Sequence, residues 1–239
     1  MESSESGAPI YRHQPRDRDF EFAHGDESNI ELITQHIETH IGLISNVFHE
    51  IISDLVHIDV HQIEPTPERN YYTLITTGMS DRPMNPPEEY AELAYSEVMI
   101  CLPPDWKLDM KSMKDEKYYW PIRLLKMMAR LPHEYQTWLW MMHTVPNGDP
   151  AEPYASNTNL SGVILFPPLL FDEAFHELKI DDKKTIHFHT LVPLHNDEME
   201  LKLKKGTEAL YEGFDEHKVN ELLNPQRKSS IRKKRGWLW

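Results

Sequence analysis

Apolar positions recur along this chain with two periods, and the switches between them mark out its elements. Ile30, Ile33, Ile37 and Ile41 stand three or four residues apart, which is the spacing of one helix face, and Ser28 or Asn29 stands where the cap of that helix is expected. The period then shortens. Residues 47–52 and 55–63 read as strands, and in the second Val56, Ile58 and Val60 alternate with His57, Asp59 and His61. A link with Pro65 and Pro67 leads to residues 71–77, rich in tyrosine and β-branched side chains, which Gly78 ends. Residues 97–102 suit a buried strand, stopped by Pro103 and Pro104. Together these segments predict a meander.

Helical spacing returns at Trp120-Pro121. Proline suits a first helical position, and Ile122, Leu125, Met128 and Ala129 form a stripe that ends before Pro132. Residues 162–166 are a short apolar strand, and residues 175–180 and 185–192 predict a hairpin across the charged turn at 181–184. Met199, Leu203, Leu210 and Phe214 place helix over 197–214, with a second short helix ending near Leu223. Strands interleaved with helices that pack on them make the expected class α+β.

Charge changes the picture at both ends. The formal net charge is −14, yet residues 226–239 hold Arg227, Lys228, Arg232, Lys233, Lys234 and Arg235 and no acid. Without those six bases the remaining body has 19 bases against 39 acids, a net −20. Such a body repels nucleic acid and attracts basic proteins. Residues 1–27 are polar and aperiodic and read as a flexible acidic leader, residues 28–225 as the folded domain, and residues 226–239 as a flexible basic tail. The single cysteine, Cys101, lies in an apolar run and makes no disulfide framework. There is no basic-then-apolar leader and no apolar run near the ~18 residues of a membrane span, so a cytoplasmic protein is expected.

Several constellations invite a chemical reading. His57, Asp59 and His61, with His187 and His189, would suit a metal if their strands were neighbours, but the same alternation describes any half-exposed strand. Ser80, His143 and Asp149 are the residue types of a hydrolase triad, yet Gly-Met-Ser-Asp lacks the elbow that exposes a nucleophile. Neither a phosphate-binding glycine loop nor a dinucleotide fingerprint occurs. The expectation is therefore no catalytic residue, no metal and no cofactor. Two loops remain, each a forced turn with polar and soft side chains. They make Met79, Ser80, Asp81, Arg82, Met84, His143, Asn147, Asp149 and Tyr154 the expected partner-binding residues.

Five blocks taken in order carry a resemblance. They are Tyr72-Thr73-Leu74 through Gly78-Met79-Ser80-Asp81-Arg82-Pro83-Met84, Glu97-Val98-Met99-Ile100-Cys101-Leu102-Pro103-Pro104-Asp105-Trp106, Trp120-Pro121-Ile122-Arg123-Leu124-Leu125, His143-Thr144-Val145-Pro146-Asn147-Gly148-Asp149-Pro150 and Leu178-Lys179-Ile180-Asp181-Asp182. From about Ile30 to Pro225 the chain resembles the suppressor-of-fused-like domain family, especially its single-domain bacterial members. The resemblance implies a curved, largely antiparallel mixed sheet flanked by helices. The best-known animal member is a two-domain negative regulator that holds a transcription factor through an added strand, and this chain is too short for the second domain, so that peptide site is not carried over. Bacterial relatives look like immunity proteins that neutralise toxins by direct binding. The implied function is a non-catalytic immunity protein or antitoxin whose partner is a protein, possibly a basic toxin, with no membrane and no nucleic acid engaged by the acidic body. The alternatives are a hydrolase or metal-dependent enzyme using the same loops, or a regulatory scaffold. Oligomeric state is not legible.

Overall fold

Two strands at the centre of the sheet run parallel, and hydrophobic clusters lie over both faces around them. In the computed structural model, which describes residues 2–14 and 16–231, a small hairpin of β1 (Glu2–Ser3) and β2 (Pro9–Ile10) precedes α1 (Glu27–His40). The chain continues through β3 (Ile44–Phe48), β4 (Asp59–Ile63), β5 (Tyr72–Thr77), β6 (Tyr95–Leu102), α2 (Glu116–Tyr135), β7 (Thr144–Pro146) and β8 (Gly162–Phe166). It ends with β9 (Glu177–Lys179), β10 (Thr185–Leu194), α3 (Asn196–Lys205) and α4 (Thr207–His217). Among the described residues one eight-stranded sheet runs β3-β4-β5-β6-β10-β8-β7, with β9 beside β10. The pairing of β6 with β10 is parallel and the others in this sheet are antiparallel. The α+β class and the meander of β3 to β6 agree with the sequence pattern.

Side chains one residue apart on a strand point to opposite faces, so each strand divides its apolar residues between two layers. On β6, Val98, Ile100 and Leu102 join the core under α2, with Trp120, Leu124, Leu125 and Met128 of that helix. Met99 and Cys101 turn to the other face, where Ile33 and Ile37 of α1 meet Ile186 and Phe188 of β10. Further along, Ile164, Phe166, Val192 and Leu194 pack on Met199 of α3 and on Leu210 and Phe214 of α4. The sheet is thus covered on both faces.

Several boundaries differ from the sequence reading, each for a local reason. The cap of α1 is Asp26, whose carboxylate accepts the Asn29 backbone N–H at 3.2 Å; Asn29 itself is buried and employed elsewhere. The strand expected over 47–52 is β3 at 44–48, and Ile51 and Ile52 beyond it are 95% and 70% exposed. Strand pairing over 55–63 begins only at Asp59, and all five residues of β4 are buried, because α1 covers the face taken for solvent-exposed. Helix α2 starts at Glu116, capped by Asp115, so Pro121 lies inside it. Proline leaves the carbonyl four residues earlier without its helical donor, and the Asn157 side-chain amide supplies one to Lys117 at 3.2 Å. Pro132 does not end the helix, which continues to Tyr135. The helical region after β10 is two helices broken at Gly206, and α4 stops at His217, ahead of Leu223.

The termini are less free than their composition suggests. Arg16 donates to the carbonyls of His133 and Glu134, Arg18 pairs with Asp54 at 2.8 Å and with Glu134, and the Ala23 N–H donates to the Ser53 carbonyl. At the other end Arg227 clasps Glu198, which is wholly buried. Arg232, Lys233, Lys234 and Arg235 lie outside the described residues.

Candidate functional site

Gly78 sets the course of the chain beyond β5. Its φ is +101°, and a Cβ there would stand 1.7 Å from the His57 carbonyl oxygen, so only glycine allows the chain to turn against the 57–58 backbone. The turn it begins, Met79–Asp81, folds inward. Met79, Ser80 and Met84 are 1%, 0% and 5% exposed, a correction to the expectation that this loop presents them to a partner. Met79 offers its carbonyl to His133 Nε2 at 2.9 Å, and Met84 Sδ accepts the Leu139 N–H at 3.4 Å. Tyr154 is corrected likewise: it is buried and stacks on Trp120 at 5.1 Å. Asp81, Arg82, His143, Asn147 and Asp149 keep access to solvent.

The two loops do not form one site. Met79 meets α2 at His133 and Tyr154 meets it at Trp120, about 20 Å apart along a helix rising 1.5 Å per residue. Arg82 pairs with Glu21 at 2.5 Å, Asn147 closes its own loop by donating to the Glu152 carbonyl at 2.7 Å, and Asp149 lies 3.7 Å from Arg12. The three triad residue types are engaged apart as well: Ser80 donates to Glu97, His143 packs on Trp138, and Asp149 stands in solvent. Nor do the histidine faces meet. His61 lies 3.0 Å from Thr77 on the α1 side, whereas His187 and His189 pack on Trp140, with β5 and β6 between their strands. Among the described residues no three His, Cys, Asp or Glu side chains gather as metal ligands do.

Ser80 belongs to a buried polar network that frames this end of the sheet. Glu97 is fully buried and accepts from Thr76 Oγ1 at 2.7 Å, Ser80 Oγ at 2.7 Å and the Ser80 N–H at 3.0 Å. Burial pushes its pKa up to about 7, against the pull of those hydrogen bonds. The Asn29 amide donates to Ser80 Oγ at 3.0 Å and to Asp81 at 2.7 Å, and accepts from Lys184 Nζ at 3.0 Å. Burial raises the Asp81 pKa also. The hydroxyl of Ser80 is therefore fastened inside the fold, where no substrate reaches it.

Beside this frame lies a surface of aromatic rings. Tyr90, 44% exposed, stacks on half-buried Trp138 at 5.5 Å and 14°, and His143 meets Trp138 edge-on at 4.9 Å. Trp140 stands edge-on to His187 at 4.9 Å and to His189 at 4.8 Å. Burial lowers His143 to about 4 and His189 to about 3, so both are neutral near pH 7. Around Tyr90 the carboxylates of Glu88, Glu89 and Glu92 are exposed and form no ion pair among the described residues. Glu177 adds a fourth, 3.2 Å from His187 Nδ1. Aromatic anchors beside a polar rim are the composition of a protein interface. The sequence reading included His143 but not Tyr90, Trp138 or Trp140; the signal for Tyr90 was its place among Glu88, Glu89 and Glu92.

Comparison with known proteins bears on this arrangement. The family model for the suppressor of fused protein (SUFU) matches residues 54–228. The fold is similar to the crystal structure of a SUFU homologue from Neisseria gonorrhoeae, with a TM-score of 0.62, 17% identity, and coverage of 87% of this chain and all of that one. It is also similar to a chain in the Sufu–Fu complex, with a TM-score of 0.58, 14% identity, and coverage of 86% and 92%. Curated protein sequences contain no match. No helix among the described residues is long and apolar enough to cross a membrane.

Proposed function

From the premise that this chain belongs to the suppressor of fused protein family, we propose that it is a non-catalytic domain that neutralises a basic protein, in the immunity reading a toxin, by stoichiometric binding in the cytoplasm. The observation that carries this is exposed Tyr90 stacked on half-buried Trp138 beside Glu88, Glu89 and Glu92, which form no ion pair among the described residues. Rings of this kind supply rigid contact area, and the carboxylates steer and orient a cationic partner. The body's net −20 extends that attraction over the approach path. A regulatory scaffold for another cellular protein is the second reading, supported by the likeness to a Sufu solved with Fu.

Affinity capture at moderate salt with the full chain as bait tests the proposal. One basic protein recovered in a one-to-one complex, whose activity is lost on binding and whose affinity falls steeply with salt, is the expected result. An acidic or neutral partner with salt-independent affinity removes it, and a partner whose activity is unaltered by binding leaves the scaffold reading in its place.

A further inference from the structure

The carboxyl ends of β6 and β10 open onto a groove of about 590 Å³. Its floor is aliphatic, with Val192 from β10 and Val219 and Leu222 from the segment after α4. Its rim carries the ammonium groups of Lys218 and Lys228, with His217 beside them. No carboxylate lines it, although the chain carries 39 acids against 25 bases. Neither Lys218 nor Lys228 makes an ion pair among the described residues. A volume of this size lies within the ~300–1,000 Å³ usual for small-molecule sites.

The walls are held in place without a ligand. The Leu223 N–H donates to the Cys101 carbonyl at 2.9 Å, and Leu222 bridges Cys101 in parallel, so the strip beyond α4 pairs with the end of β6, past the last β10 partner at Met99. On the other side Arg227 is fastened to buried Glu198 at 2.5 Å and donates to the Pro193 carbonyl at 2.8 Å. Lys218 takes the left-handed conformation that ends α4, with its N–H directed back to Phe214 and Asp215. A preformed groove avoids the ordering cost that weakens binding to mobile loops.

We propose that this groove binds a small amphiphilic anion, an aliphatic chain ending in a carboxylate. The chain lies along half-buried Val219 and Leu222, over Val192 beneath them, and takes their aliphatic surface out of water. The head is drawn to the ammonium groups of Lys218 and Lys228 by charge-assisted hydrogen bonds.

Calorimetric titration of the full chain with monomeric dodecanoate tests the proposal, with dodecyltrimethylammonium and acetate as the paired probes. Dodecanoate is expected to bind one-to-one, with the cation of equal chain length and the short acid each at least about tenfold weaker. Lys228→Gln, and separately Lys218→Gly, which suits the positive φ, are each expected to weaken dodecanoate roughly tenfold with an unchanged thermal melt. The inference is overturned by absent dodecanoate binding, by equal affinity for the cation, by acetate binding as tightly, or by an affinity indifferent to both lysine changes. Adsorption to phosphatidylglycerol vesicles without binding of monomeric dodecanoate overturns it as well.

Discussion

At the amino ends of β6 and β10 the connecting loops set tyrosine and tryptophan among glutamates; at the carboxyl ends of the same two strands they set valine and leucine among lysines and a histidine. The strands are common to both surfaces, so the strands do not decide the polarity. What differs is how the loops are held. The acidic end is built over an internal frame in which Glu97, Ser80, Asn29 and Asp81 are hydrogen-bonded to one another. The basic end is clamped from outside by Arg227 on Glu198 and by the Leu222 bridge. A net charge of −14 describes neither surface, and the partner chemistry it implies holds for one end only.

The largest expected effect breaks the acidic end alone. Gly78→Ala forces a side chain into the His57 carbonyl and is expected to destabilise the domain by at least about 3 kcal/mol, measured by urea unfolding. Wild-type stability for that variant would mean that the frame does not depend on this turn. Acidity comes next. His61, His133 and His143 are lowered to about 4 and His189 to about 3, in each case chiefly by burial. The unfolded chain thus binds more protons than the folded one from those values up to 6.5, and stability rises with pH across that window. Glu97 and Glu221, raised to about 7 by burial, act in the opposite sense, because the folded state holds their protons from 4.5 up to about 7. Four groups outweigh two, so unfolding free energy is expected to climb from pH 4 to about 6.5 and then to dip slightly. Glu97→Gln should remove part of that dip, and an unaltered profile would show that Glu97 does not titrate there.

Smaller effects sharpen the comparison between surfaces. With the captured partner, Tyr90→Ala is expected to cost roughly tenfold or more in affinity at unchanged thermal stability. Asp149→Lys, at the far end of β7, is expected to cost less than about threefold, since an exposed charge beyond the interface contributes only steering. Equal losses from the two variants, measured by calorimetry, would move the interface from the aromatic end to the 147–150 loop.

Much of the fold was legible in the residue pattern. The Gly162–Phe166 strand, the turn at 181–184 and the apolar stripe of α2 come from alternation, turn residues and three-to-four spacing, all of which act over a few neighbours. Boundaries failed where a distant group intervened. Pro121 reads as a helix start until Asn157 is found donating to Lys117, and His57, Asp59 and His61 read as a wet strand face until α1 is placed over it. The candidate site failed for the same reason in both directions. Met79, Ser80 and Met84 have the composition of a contact loop yet fill the interior, while Tyr90 and Trp138, which look like core, stack at the surface.

The sequence by itself determined the periods of its elements, the charge segregation and, through five ordered blocks, the family. These depend on backbone sterics, local spacing and composition, which one strand of text contains. Only the tertiary structure decided which polar side chains pair inside and which stay in water. Glu97 and Glu88 are the same residue type with the same local preference; one is enclosed by Thr76 and Ser80 from other segments, and the other is left without an ion pair in solvent. Desolvation depends on everything that packs around a group, and that sum exists only once the chain is folded.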